Sequence, residues 1–260
     1  MPISDKILGS PKAFLIEIGE LSHFIGRFFI ELPKRPFEFK EFLRQCFNIG
    51  NKSVLLVGIT GFIIGLVLTL QTRPTLLEFG AVSWMPSMVG ISIVREIGPM
   101  IIALVCAGKI GSGIGAELCS MRVTEQIDAM EVSGTNPFKY LVVTRVMATT
   151  LMIPLLVIFG DAVALYGSFL VENLKGNVSF YLFFNQVFGG LEFGDLIPAT
   201  IKTFFFGFAI GIVGSFKGYF CSKGTAGVGI AANSAVVFTS LLLFIIDFIA
   251  VFVTDIFYDL

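Results

Sequence analysis

This sequence predicts an all-α membrane protein: an N-terminal amphipathic helix at the interface, five transmembrane helices, and a short polar helix on the inner side. Three observations predict it. Charged residues make up only 14% of the 260 residues, and mean hydropathy is +0.88. Uncharged runs long enough to cross a hydrocarbon core, which takes about 20 helical residues, recur along the chain. Glycines recur inside those runs at the i, i+4 spacing that lets helix backbones approach closely in lipid, as in Gly61/Gly65, Gly111/Gly115, Gly207/Gly211 and Gly214/Gly218. The net charge of −1 and the lack of a basic tract give no sign of a nucleic-acid partner.

The first 52 residues lack a signal-peptide layout. Phe14, Leu15, Ile18, Leu21, Phe24, Ile25, Phe28 and Phe29 recur at helical spacing among polar residues until Pro33 and Pro36 interrupt them. The pattern resumes over Phe37 to Phe47. A Phe-rich, basic amphipathic segment fits a helix lying in the membrane interface; a soluble helix packed on a partner fits the same pattern. The domain division expected is 1–52 as the interfacial region, 53–256 as the membrane domain and 257–260 as a tail.

Ser53 to Leu70 is the first span, closed by Gln71-Thr72-Arg73-Pro74. The second follows Pro86 and runs to about Leu118, and the third runs from about Tyr140 to Val171. A polar loop, Glu172 to Asp195, leads to the fourth span, Leu196 to Phe220, which contains Lys202 and Lys217. The fifth covers about Ile230 to Thr254. Basic residues orient the bundle. With the N-terminus inside, the inner segments hold Lys6, Lys12, Arg27, Lys34, Arg35, Lys40, Arg44, Lys52, Arg122, Lys139, Lys217 and Lys223. The outer ones hold Arg73 and Lys175.

No metal or cofactor site is expected. His23 is the only histidine, which excludes a multi-histidine metal site and a histidine-based triad within one chain. Cys46, Cys106, Cys119 and Cys221 show no C-x-x-C pairing and read as small buried thiols rather than a disulfide or metal set. Gly108-Lys109-Ile110-Gly111-Ser112-Gly113 superficially resembles a phosphate loop. It lacks the required spacing and the Ser/Thr after the lysine, and it lies inside an apolar run.

Charges within the spans are candidates for function because burying them in lipid costs several kcal/mol. At about 1.5 Å of rise per residue, Arg95 and Glu96 lie roughly 30 Å from Glu117, near the outer boundary. Asp161 and Asp247 fall in the outer part as well, so these four can share a level, whereas Lys109 sits nearer the inner side. Two readings fit Asp161 and Asp247: a polar site in an outward-facing cavity, or ion pairs that lock the bundle. The Gly98-Pro99 break beside Arg95 and Glu96 favours a cavity there, since irregular helices at membrane depth line cavities.

On the inner side, Met121 to Val132 places Val123, Ile127 and Met130 on one helical face and Arg122, Glu125, Asp128 and Glu131 around the rest. Ser133-Gly134-Thr135-Asn136-Pro137 is a stop signal. So acidic a helix suits a groove on a protein partner better than an anionic lipid surface.

The stretch VREIGPMIIALVCAGKIGSGIGAELCSMRVTEQIDAMEVSGTNP, from Val94 to Pro137, closely resembles the signature of the MlaE (YrbE-type) permeases of ABC lipid transporters. Further matches are Gln45, Ile49-Gly50 and Ser53, Gly65 to Gln71, Phe216 to Tyr219, Gly224 to Val237, and Ile246-Asp247-Phe248. The resemblance covers about residues 37–256. It implies a non-catalytic, homodimeric inner-membrane permease moving phospholipids between inner and outer membranes. Its partners would be a separate ABC ATPase (MlaF-like) and an MCE-domain protein (MlaD-like). It implies lipid-binding roles for Arg95, Glu96, Leu68 and Gln71, and ATPase coupling through Thr124, Glu125, Ile127, Asp128, Met130 and Glu131. Lys109 stands where many relatives carry arginine. An ion-coupled secondary transporter or channel is the alternative. It has no internal repeat to support it and leaves the inner helix without a purpose.

Overall fold

A computed structural model describes residues 11–35, 37–222 and 224–258. Among the described residues there is no strand. The helices are α1 (Pro11–Glu31), α2 (Phe39–Glu78), α3 (Val82–Val123), α4 (Gln126–Val132), α5 (Phe138–Gly176), α6 (Phe180–Gly190), α7 (Phe193–Tyr219) and α8 (Thr225–Tyr258). Five of them, α2, α3, α5, α7 and α8, are long and apolar enough to cross a membrane, as expected. Three segments of α3 and α5 escape a hydropathy reading. Ile93–Ile97 and Ala107–Gly111 in α3, and Phe138–Val143 in α5, are π-helical.

Two elements differ from expectation. The first span is part of a longer helix that begins at Phe39 and continues past Pro74 to Glu78. A proline forfeits one backbone hydrogen bond but does not by itself end a helix that has other support. Here Arg73 supplies it, donating from Nε to Glu172 Oε1 at 3.1 Å and from Nη2 to the Lys175 carbonyl at 2.9 Å. The expected polar loop at 172–195 contains α6. The Ser179 side chain caps it, accepting from the Leu182 N–H at 3.3 Å. Phe183 and Val187, four apart on α6, are buried with Met85, Val89 and Ile93 of α3. Charged flanks at Glu172, Lys175, Glu192 and Asp195 hide this apolar helix in the sequence.

The chain groups into two units. One comprises Met1–Ile49, Cys106–Met152 and Gly207–Leu242; the other Gly50–Val105, Ile153–Phe206 and Leu243–Leu260. In the first, α1 buries the face that carries Glu17, Phe24, Phe28 and Glu31. Phe24 meets Phe138, Phe216 and Phe220 edge-on at 4.9, 5.5 and 5.7 Å. Leu15, Ile16, Phe29 and Ile30 stay exposed together with Glu20, Ser22, His23 and Arg27, so the open side of α1 mixes apolar and polar residues. Gly218 meets Gly115 so closely that a Cβ there would lie 2.7 Å from the Gly115 carbonyl oxygen, as the small-residue spacing predicts. Against expectation, Cys119 and Cys221 form a disulfide, their Cα atoms 5.5 Å apart. Their separation of 102 residues gives no hint of it, because only the packing of α3 against the end of α7 brings them together. Cys46 and Cys106 are free and buried, as expected.

In the second unit α2 lies against α5. A Cβ at Gly65 would fall on the Ala164 carbonyl, and one at Gly61 on that of Gly160. Thr69 Oγ1 continues the contact, 2.7 Å from Ser168 Oγ.

Candidate functional site

Within the second unit, Arg95 and Glu96 sit in the π segment Ile93–Ile97, which runs on through Gly98 and Pro99 without the expected break. A π segment inserts one residue into the helical turn, re-aims the side chains around it, and is frequent at functional sites. Glu96 Oε2 accepts from Lys202 Nζ at 2.6 Å. Lys202, its side chain only 3% exposed, also pairs with Asp247 at 3.0 Å. Arg95 Nη1 reaches Asp195 Oδ1 at 3.4 Å. Asp195, in the first turn of α7, also accepts from the Glu192 N–H at 3.2 Å, which holds its carboxylate in place.

Two cations and three carboxylates from α3, α7 and α8 thus meet in one cluster. A lone ammonium buried at this depth would cost several kcal/mol, which two flanking carboxylates offset. Arg95, Glu96, Asp195 and Lys202 line a small polar pocket with Pro198, Ala250 and Thr254. Lys202, Pro198, Ala250 and Thr254 also line an adjoining groove of about 810 Å³. Its other walls are apolar: Ile197, Ile201, Phe205, Ile246, Ile249, Val253 and Phe257. A charged recess opening onto an apolar trough has the polarity of an amphiphile.

Arg95, Glu96, Asp161 and Asp247 lie close to one level, as expected, but they do not all join one set of ion pairs. Lys202 joins Glu96 to Asp247, and Arg95 turns to Asp195. Asp161 is buried instead against Gly98, where a Cβ would collide with its carboxylate, and its Oδ1 has no hydrogen-bond partner. Leu68 packs against the apolar cluster around Met85 and Val89, and Gln71 is exposed on α2; neither lines the pocket or the groove. Lys109 lies in the first unit, exposed, within the π segment Ala107–Gly111. Sequence reasoning missed Lys202 and Asp195 as members. The available signal was charge balance, because two acids at one depth call for a cation, and the fourth span carries Lys202.

The polar element of the first unit is not one helix from Met121 to Val132. α3 runs to Val123, and the chain then turns through Glu125 in the left-handed conformation (φ 59°) before α4 starts at Gln126. Arg122 Nη1 bridges the turn to Asp128 Oδ1 at 2.7 Å. Ile127 is 0% exposed, which overturns the expectation that it faces a partner. A seven-residue helix between tight turns lays its apolar face on its own chain. Thr124, Glu125 and Glu131 are exposed, Asp128 and Met130 are half-buried, and Val132 is 90% exposed. At the base of α3, Arg145 Nη2 donates to Glu117 Oε1 at 3.0 Å and ties α3 to α5.

Comparison with known proteins agrees with this architecture. Residues 42–253 match the family model described as Permease MlaE. A probable ABC transporter permease protein of Rickettsia typhi is 38% identical over 83% of this chain and 83% of its own length. Another from Synechocystis is 32% identical over 86% and 85%. The intermembrane phospholipid transport system permease protein MlaE of Haemophilus influenzae is 29% identical over 91% of each chain. The chain belongs to the MlaE permease family, as a multi-pass membrane permease subunit of the ABC transporter type, the kind of subunit that does not itself hydrolyse ATP.

Proposed function

We propose that this permease moves phospholipids between the inner and outer membranes of a bacterium, using ATP hydrolysed by a partner subunit. The observation that carries the reading is the cluster of Arg95, Glu96, Asp195, Lys202 and Asp247 at the head of the 810 Å³ apolar groove. A phospholipid head group has the charge to engage such a cluster, and acyl chains suit the groove. The name of the Haemophilus relative supports the same substrate class. In this reading the N-terminus is cytoplasmic, α1 rests in the inner-leaflet interface, and α4 contacts the ATPase. Two copies form the core, and an MCE-domain protein receives or delivers lipid on the outer side.

The test uses proteoliposomes containing the permease with its ATPase, and fluorescent phospholipid as cargo. Glu96→Gln removes a charge while keeping an acceptor for Lys202; Lys202→Met leaves two carboxylates facing each other. We expect each to lower ATP-driven lipid movement at least tenfold while the ATPase stays bound. Wild-type transport by both variants would remove the cluster from the mechanism. Lipid movement driven by an ion gradient without ATP would select the secondary-transporter alternative.

A further inference from the structure

The turn that follows α4 has little freedom. Gly134 (φ 78°) closes the helix, its N–H bonding to the Glu131 carbonyl at 3.0 Å and the Thr135 N–H to that of Met130 at 3.0 Å. This double bond pattern is a Schellman stop. Two residues later the Asn136 side chain works in both directions. Its Oδ1 accepts from the Lys139 N–H at 3.2 Å, capping the start of α5, and its Nδ2 donates to Glu31 Oε2 at 3.0 Å.

Glu31, the last residue of α1, is buried, and Lys34 Nζ donates to its other oxygen at 2.6 Å. The hydrogen bond from Lys34 holds the Glu31 carboxyl below its ordinary range, with Asn136 and Arg27 acting in the same sense. It therefore remains ionised at neutral pH. The neighbouring contacts bind the same two segments. Lys139 Nζ donates to the Lys34 carbonyl, and the Arg27 guanidinium lies 4.3 Å from the centre of the Phe138 ring.

We propose that α1 clamps the trailing end of α4, with Glu31 and Asn136 as positioning residues that pass movement of α4 to α5 instead of letting the turn absorb it. The inference rests on the reading of α4 as the ATPase contact. A connection fixed by a Schellman stop, an Asn cap and a charge-assisted hydrogen bond transmits displacement; a slack one dissipates it. α1 is suited to the task because its open side carries Leu15, Ile16, Phe29 and Ile30, which a lipid interface would hold at constant depth.

The experiment measures ATP hydrolysis and lipid movement separately, on the complete permease–ATPase complex in proteoliposomes. Glu31→Ala should retain the ATPase and hydrolyse ATP within about twofold of wild type, yet move about five- to tenfold less lipid per ATP. Asn136→Ala, which also removes the cap on α5, should lower lipid per ATP at least as much, and the double variant should fall by less than the product of the two single effects, since both remove the Glu31–Asn136 contact. Glu31→Gln, which still accepts from Asn136, should recover most of the ratio; thermal unfolding in detergent reports whether each variant folds. Unchanged lipid per ATP in both single variants would overturn the clamp while leaving lipid transport standing. Equal loss in Glu31→Gln and Glu31→Ala, or loss of folding in both, would also overturn it, as a purely structural contact. If wild-type protein moves no lipid with ATP, the transport reading itself fails and the clamp falls with it.

Discussion

Ile127 decides what α4 can offer to another protein. Because it is buried within its own chain, Ile127→Asp places a carboxylate at a position without solvent, at a cost on the order of 3 kcal/mol or more. Its first effect is on the permease itself: the detergent-solubilised protein should lose thermal stability. The large apolar residue that this helix exposes is Val132, and Val132→Asp should leave the unfolding midpoint near wild type while weakening ATPase retention at least tenfold. A stable Ile127→Asp protein that binds its ATPase normally would show that the burial carries no energy. Residue types in this element were legible in the sequence, but the facing was not. A 3.6-residue period names an apolar face without saying whether the chain or a partner covers it. Lys202 makes the same point from the other side: its charge and depth were readable, and its two carboxylate partners on α3 and α8 were not.

Helix contacts in the second unit are set by small residues, and there the sequence was a good guide. Gly65 lies against the Ala164 carbonyl with no room for a side chain. Gly65→Leu should force α2 away from α5, break the Thr69–Ser168 contact, and destabilise the protein by at least the roughly 1–3 kcal/mol of an overpacked core. Thermal unfolding should report that loss, and Gly19→Leu serves as the comparison because nothing lies within 4 Å of a Cβ at Gly19. Equal midpoints for the two variants would show that α2 does not depend on this close approach. The π segments are a different case. They arise where the register of a long helix must satisfy neighbours before and after it, and no local composition announces them. Glu96 lies in one of them, and hydropathy alone leaves it as an acid near the end of a span.

For the molecule as a whole, the charge asymmetry of the segments supports the proposed orientation with the N-terminus inside, which is open to a direct check. In a background with Cys46, Cys106, Cys119 and Cys221 replaced, an impermeant thiol reagent added to intact cells should label Lys175→Cys and spare Glu131→Cys. The reverse pattern would invert the topology and remove α4 from reach of a cytoplasmic ATPase. The sequence by itself determined the helical membrane class, the number of spans, the small-residue contacts and the family. Each depends on hydrophobic period, length or a contiguous motif, which are local properties of the chain. Tertiary structure alone decided that Lys202 joins Glu96 to Asp247, that Cys119 meets Cys221, that Ile127 turns inward and that Glu31 holds Asn136. These pairings link residues on separate elements, several of them 100 or more positions apart. Their partners are selected by which helix faces meet, a property that no segment of the sequence carries alone.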